Sequence, residues 1–266
     1  MNRVIRTIYN SSLQAANLLG TPYQAAEKTT LNEKYAIGID IIDTVLPSLA
    51  YYGAGINFKK AIDTGVIDLT KASHSATDAD VYYPLPFLLK AATVGLTDNE
   101  ELLYRIKTSV TVDGVEYIAC YLKKFDGLDT SDSLYGMTYN STLKDYVTST
   151  LDTTAIDFLS PVPAERDCND ADLSYVGVSQ KVYIKLSAVE IDNMRTAADI
   201  LYPNIAISER HSIGEVALYS GIESVYKGKP EAAKVQANFF KPVNAVIASG
   251  DTFALTINVG GMLPMI

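Results

Sequence analysis

Apolar and polar residues alternate from Lys181 to Leu186, with Val182, Ile184 and Leu186 on one face and Tyr183 and Lys185 on the other. That period predicts a strand. At Ser187 the period changes. Ser187-x-x-Glu190 is a capping box, in which the hydroxyl accepts one backbone N–H and the carboxylate reaches back to another. Ile191, Met194, Ala198 and Leu201 follow at helical spacing, and Pro203 stops the run. After Gly214, Glu215–Ser220 predicts a second strand, so 181–222 reads as one strand–helix–strand unit.

The remaining pattern is mostly that of short strands. Leu13, Ala16, Leu18 and Leu19 predict a short helix ending at Gly20, and Thr21-Pro22 opens another through Ala25, Ala26 and Glu27. Tyr35–Leu46 alternates and then turns apolar before Pro47. Gly53-Ala54-Gly55 reads as a glycine-permitted turn, and Thr70–Asp80 as a polar loop with His74 in solvent. Pro84 and Pro86 make Val81–Lys90 extended. Thr97-x-x-Glu100 is a second capping box, predicting a turn of helix over Asp98–Leu103. Tyr104–Val112 and Val115–Phe125 flank Asp113-Gly114, the strongest hairpin signal in the chain.

Asp126–Thr154 reads as polar strands or a long loop. Pro161–Asp172 is proline-bearing, charged and without apolar period, the best boundary candidate. Tyr226–Pro230 reads as a turn, Ala232–Phe240 as a strand before Pro242, and Phe253–Val259 as a last strand ahead of an apolar tail. The pattern predicts an α+β protein, mostly antiparallel β and sandwich-like, with a few short helices and extended termini. Its expected parts are an arm over 1–34, a β-rich domain over 35–160 and another, with the one capped helix, over 173–266, with a single domain as the alternative.

Composition narrows the function. The chain has 266 residues, 48% of them hydrophobic, so it can bury a substantial core. Its net charge is -9 and only Lys59-Lys60 and Lys123-Lys124 are adjacent basic pairs. A phosphate-tracking surface needs concentrated cations, so direct nucleic-acid binding is not expected, nor is an anionic membrane surface. No apolar run is long enough to cross a bilayer, and no signal peptide is apparent at the N-terminus. Cys120 lies in an apolar strand and reads as a buried small hydrophobe; Cys168 lies in a polar loop and reads as an exposed thiol. A reducing, aqueous compartment is expected. The 18 tyrosines suit half-buried sheet faces and subunit interfaces, or simply the β-propensity of tyrosine.

Candidate chemistry is sparse. Gly53-Ala54-Gly55 lacks the third glycine and following helix of a nucleotide loop. Asp126, Asp129 and Asp132 do not meet an EF-hand register. Glu215 and Glu223 flank one strand, and Asp40 and Asp43 another, without a fixed glycosidase-like separation. Glu209-Arg210-His211 is the densest polar triplet and reads as a surface loop. No catalytic residue, cofactor or metal is expected. Glu209, Arg210, His211 and Ser212, with Met262 and Leu263 of the tail, are the candidate contact residues.

Several phrases resemble a family of uncharacterised structural proteins of tailed-bacteriophage virions, of the neck, tail or baseplate type. They are YYPLPFLLK (82–90), GVEYIACYLKKFD (114–126), YIKLSAVEIDNM (183–194), IGEVALYSGIESV (213–225) and NVGGMLP (258–264), with YYGAGIN (51–57) more weakly. The resemblance covers most of 80–266, and none of its phrases is a catalytic signature. It implies a non-enzymatic virion subunit, assembled in the host cytoplasm as a homo-oligomeric ring or layer and joined to other virion proteins. A capsid decoration or receptor-binding module using Asp126–Thr154 is the alternative. A hydrolase using Glu209, His211 or Glu215 ranks last.

Overall fold

The structure, a computed structural model, describes residues 4–39, 45–56, 74–140, 142, 145–150 and 174–262. In chain order its elements begin with β1 (Ile5–Arg6), α1 (Ile8–Leu19), α2 (Leu31–Lys34), β2 (Ser48–Gly55), β3 (Pro84–Leu85) and β4 (Leu88–Ala91). Next come α3 (Asp98–Leu103), β5 (Tyr104–Val112), β6 (Val115–Lys124), β7 (Gly127–Asn140), β8 (Asp145–Thr150) and β9 (Ser174–Leu186). The last are α4 (Ala188–Leu201), α5 (Ile207–Arg210), β10 (Ser212–Tyr226), β11 (Lys229–Val246) and β12 (Phe253–Met262). Antiparallel pairing with a few short helices makes this an α+β fold dominated by β-structure. The chain divides into a larger unit, 1–125 with 185–253, and a smaller one, 126–184 with 254–266. Pro161–Asp172 and Cys168 lie outside the described residues.

The larger unit is built on one sheet in the order β1-β11-β10-β2-β6-β4, with β3 on β2 and β5 on β6. Local chemistry sets its hairpins. Asp113 and Gly114 (φ 49° and 78°) join β5 to β6, and Lys227 and Gly228 (φ 50° and 77°) join β10 to β11. Two successive positive φ values make the two-residue turn whose twist matches the flanking strands. Side chains from both halves of the unit's sequence, including Tyr51, Ile106, Leu122, Tyr219, Val235 and Phe240, form one buried core.

Three sequence expectations change here. Gly53-Ala54-Gly55 is buried β-strand, not a turn. Its glycines make space: a Cβ on Gly53 would stand 3.2 Å from Leu122, the Tyr121 carbonyl and Tyr219. Pro242 does not end its strand, because β11 continues to Val246 through bulges in which Lys234 and Asn244 take positive φ. Thr21–Glu27 forms no helix.

Residues 4–39 pack on the larger unit's own sheet. Tyr9, Leu13 and Ala16 of α1 are buried, and Gly20 caps that helix at φ 60°. Thr7 donates its hydroxyl to the Ala237 carbonyl at 2.6 Å and its N–H to Asn238 at 3.0 Å. Asn32 donates to Ala232 (2.8 Å) and accepts from Val235 N–H (2.9 Å), bridging the bulge around Lys234. The Glu231 carboxylate takes the N–H groups of Ile106 and Lys107 on β5. Burial pushes that carboxyl up, against the pull of Lys107. Thr7 and Asn32 thus supply partners that β11 would otherwise need from a neighbouring strand, and Glu231 does the same for β5.

The capped helix forms as its sequence predicts. Ser187 and Glu190 complete the box, and Ile191, Met194, Ala197 and Ala198 are buried. Glu190 also meets Lys123 at 3.1 Å, so the capping carboxylate doubles as a sheet contact. In the smaller unit the sheet order is β12-β9-β7-β8. The described part of Asp126–Thr154 therefore contributes strands, and Ile257 of β12 is buried between exposed Thr256 and Asn258.

Candidate functional site

Glu215 stands in an otherwise apolar stretch of β10, and a buried carboxylate needs partners there. Its cross-strand neighbour on β2 is Gly55. A Cβ on Gly55 would lie 2.7 Å from Glu215 Oε1 and 2.9 Å from its Cγ, so the glycine is what leaves room for the carboxylate. Into the same place comes His74, at the start of the segment His74–Tyr82. Both side chains are fully buried, with Nε2 of the imidazole 2.6 Å from Glu215 Oε2. The other ring nitrogen, Nδ1, lies 2.8 Å from Asp78 Oδ2.

The imidazole is also held by its faces. Tyr82 and Phe240 stack on it with centroids at 4.0 and 3.9 Å, each within 6° of parallel. Asp78 Oδ2 accepts further bonds from Ser75 N–H and the Tyr82 hydroxyl, both at 3.0 Å. Tyr82 N–H donates to Glu215 Oε1 at 3.2 Å. Outside the cluster, Ile8 N–H donates to the Ala76 carbonyl and the Tyr9 hydroxyl to Thr77. One carboxylate, one ring and one loop thus tie β2, β10, β11 and the start of α1 together.

Both ring contacts are hydrogen bonds only when Asp78, His74 and Glu215 hold at least two protons among them. Burial pushes the Glu215 carboxyl up, and the bonds from His74 and Tyr82 pull against that rise. Burial likewise pushes the Tyr82 phenol up, with Asp78 adding to it. The ring separates the two carboxylates, so they do not converge on a common point. Among the described residues no group of three or more His, Cys, Asp and Glu is placed to hold a metal. The cluster's evident capacity is to lock His74–Tyr82 to the sheet.

The sequence-predicted contact residues lie elsewhere. Glu209 and Arg210 belong to α5, a single helical turn where a loop is expected from sequence, and His211 and Ser212 follow it. All four are partly buried. Asp199 joins two of them, meeting Arg210 Nε at 2.6 Å and His211 Nε2 at 2.9 Å. Burial pushes Asp199 up, but the bonds from Arg210 and His211 outweigh it and hold the carboxyl below its usual range. Ser212 donates to the Glu209 carbonyl at 2.5 Å. Met262 ends β12, and Leu263 lies outside the described residues.

His74 as a solvated loop residue is the clearest correction. Two signals point to its place: an acid one helical turn on, at Asp78, and a lone carboxylate inside the apolar run Ile213–Ile222. Several of the described tyrosines also turn inward. Tyr51, Tyr52, Tyr104 and Tyr219 are buried, and their hydroxyls reach Glu223, the Lys185 carbonyl, Glu190 and Asp80. Cys120 is buried as expected, its thiol pushed up to about 12 by burial.

Fold and cluster together define a mostly antiparallel α+β protein with a buried His74–Glu215 clamp in its larger unit. The model of a family of unknown function, DUF7208, matches residues 1–266, and the chain belongs to that family. No curated protein and no solved structure matches it. Among the described residues no helix is long and apolar enough to cross a membrane.

Proposed function

We propose that this chain is a structural component of a tailed-phage virion, an oligomeric subunit joining other virion proteins in the neck, tail or baseplate. The observation that carries the reading is the sealed clamp. His74 and Glu215, the pair best suited to acid–base chemistry, are fully buried and bonded to each other. They spend that chemistry on fixing a loop. A subunit that transmits load between neighbours needs segments locked in this way.

The phrases behind the virion resemblance support the same reading. Tyr82, Gly55 and Glu215 all fall within them, as do the β5–β6 turn glycine Gly114 and the capping pair Ser187 and Glu190. They are packing and turn residues. Large apolar side chains stand outward on several elements, among them Leu18, Leu19, Val189, Ile207 and Val246. Contact surfaces between subunits are one use for such exposure. The test is mass spectrometry of purified particles of the virus that encodes the chain. The expected result is the protein at many copies per particle, with particles lacking a complete neck or tail when its gene is interrupted. Absence from purified particles overturns the reading.

A further inference from the structure

We infer that the outward face of α1 pairs with the same face of a second copy of this chain, antiparallel about a two-fold axis. The inference rests on the assembly reading only in taking the partner to be another copy.

Helix α1 buries Tyr9, Asn10, Leu13 and Ala16 against its own unit. Its other side is exposed, and Ile8, Ser12, Ala15 and Leu19 form a line along it with Leu18 beside. Ile8 is 48%, Leu18 70% and Leu19 75% exposed. The spacing of the line, i, i+4, i+7, i+11, is that of a helix seam built for another helix. The line has bulk at both ends and small residues between. Reversing a second copy places Ile8 against Leu19 of the partner subunit and Ser12 against Ala15 of the partner subunit. Large residues then flank a close crossing, and each contact occurs twice, as a two-fold interface requires.

Charge selects a second copy as the occupant. The chain carries -9, so two copies repel over most of their surfaces. From Thr7 to Ala26 there is no charged residue, the longest uncharged run in the sequence. The residues of α1 themselves offer neither an acid nor a base to a charged partner, whereas a second copy meets an equally uncharged helix. The helix is also held firmly for the purpose. Thr7 caps it and bonds to β11, while Ile8 N–H bonds to Ala76 of the clamped segment.

The test uses sedimentation of the full chain over a range of concentrations. Ile8→Glu and Leu19→Lys place each charge at the helix end whose dipole favours it, so both single variants are expected to fold as the parent does, with unchanged melting. Each is expected to weaken self-association about tenfold or more, because an unpaired charge is buried in the contact. Mixing the two variants restores association, since the new carboxylate of one faces the new ammonium of the other. A parent chain that stays monomeric throughout overturns the inference. So do variants that associate as the parent does, though the parent's own association then leaves the assembly reading standing. Loss in both variants without recovery on mixing overturns the two-fold register. Particle mass spectrometry decides the virion reading independently of all these outcomes.

Discussion

The chain has two histidines, and both sit between an acid and the rest of the larger unit. Around His74 the acids are Asp78 and Glu215, the ring is fully buried, and aromatic rings cover both faces. Around His211 the acid is Asp199, whose side chain is 44% exposed, and Arg210 shares it. The residue types nearly coincide while the surroundings differ in water. In the first cluster each bond replaces solvation that has been lost, so removing one partner leaves a stranded charge. In the second, water takes the place of any partner removed. The comparison shows that the partner list alone says little about what a cluster contributes.

Replacing His74 with Ala should therefore have the largest effect. It leaves Glu215 buried without its main donor and empties the slot between Tyr82 and Phe240. Breaking a buried pair in this way costs about 3–5 kcal/mol. Chemical denaturation measures it, and a loss below about 1 kcal/mol would show that the cluster behaves like the exposed one. Gly55→Ala comes next, at about 1–3 kcal/mol, because the new methyl occupies the place of the Glu215 carboxylate. In a Glu215→Ala background that cost should largely vanish. Persistence of the cost there would place the crowding elsewhere on β2.

The pH dependence separates the clusters by sign. Burial raises the Glu215 carboxyl above its unfolded value. Its contribution is complete below the unfolded pKa and is lost as pH rises through the folded one. The Asp199 carboxyl is lowered by Arg210 and His211 despite partial burial. Its contribution is present above the unfolded pKa and is lost as pH falls through the folded one. Denaturation of the parent against Glu215→Gln and Asp199→Asn across the acid range should give difference curves of opposite slope. Matching slopes would mean that both acids are in the same regime, and that the contrast drawn between the clusters is wrong.

The parts of the fold that sequence reveals are those whose cause is local. The Asp113-Gly114 turn and the Thr97–Glu100 and Ser187–Glu190 boxes each need only a few neighbouring residues, and each forms where the pattern places it. The clamp has a different origin. His74 and Glu215 are 141 residues apart, and a lone histidine in a polar stretch looks solvated until the sheet brings Glu215 to it. The same holds for Gly55, whose small size matters because of a side chain on another strand. Pro242 misleads for a related reason: a proline ends a strand only where its missing N–H is needed, and β11 bulges just beyond it. Glu209–Ser212 was legible as a polar cluster, but its tie to Asp199 spans α5 and the end of α4 and has no local signature.

The smallest expected effect is at that partly exposed cluster. Asp199→Ala removes the acceptor for both Arg210 and His211, yet Arg210 keeps bonds from Nη1 to the carbonyls of Ile205 (3.0 Å) and Pro203 (3.3 Å). His211 keeps its backbone bonds, accepting from Ile247 and donating to Ile207. Water can reach the vacated positions, so the loss should be about 0.2–1 kcal/mol and shrink further in high salt. His211→Ala should cost no more than Asp199→Ala, because it removes one of the two donors. A loss above about 2 kcal/mol for either, insensitive to salt, would show that this cluster is shielded from water like the first. The difference between the two histidines would then lie in aromatic stacking on His74 and not in solvent, and His74→Ala alone would retain the larger cost.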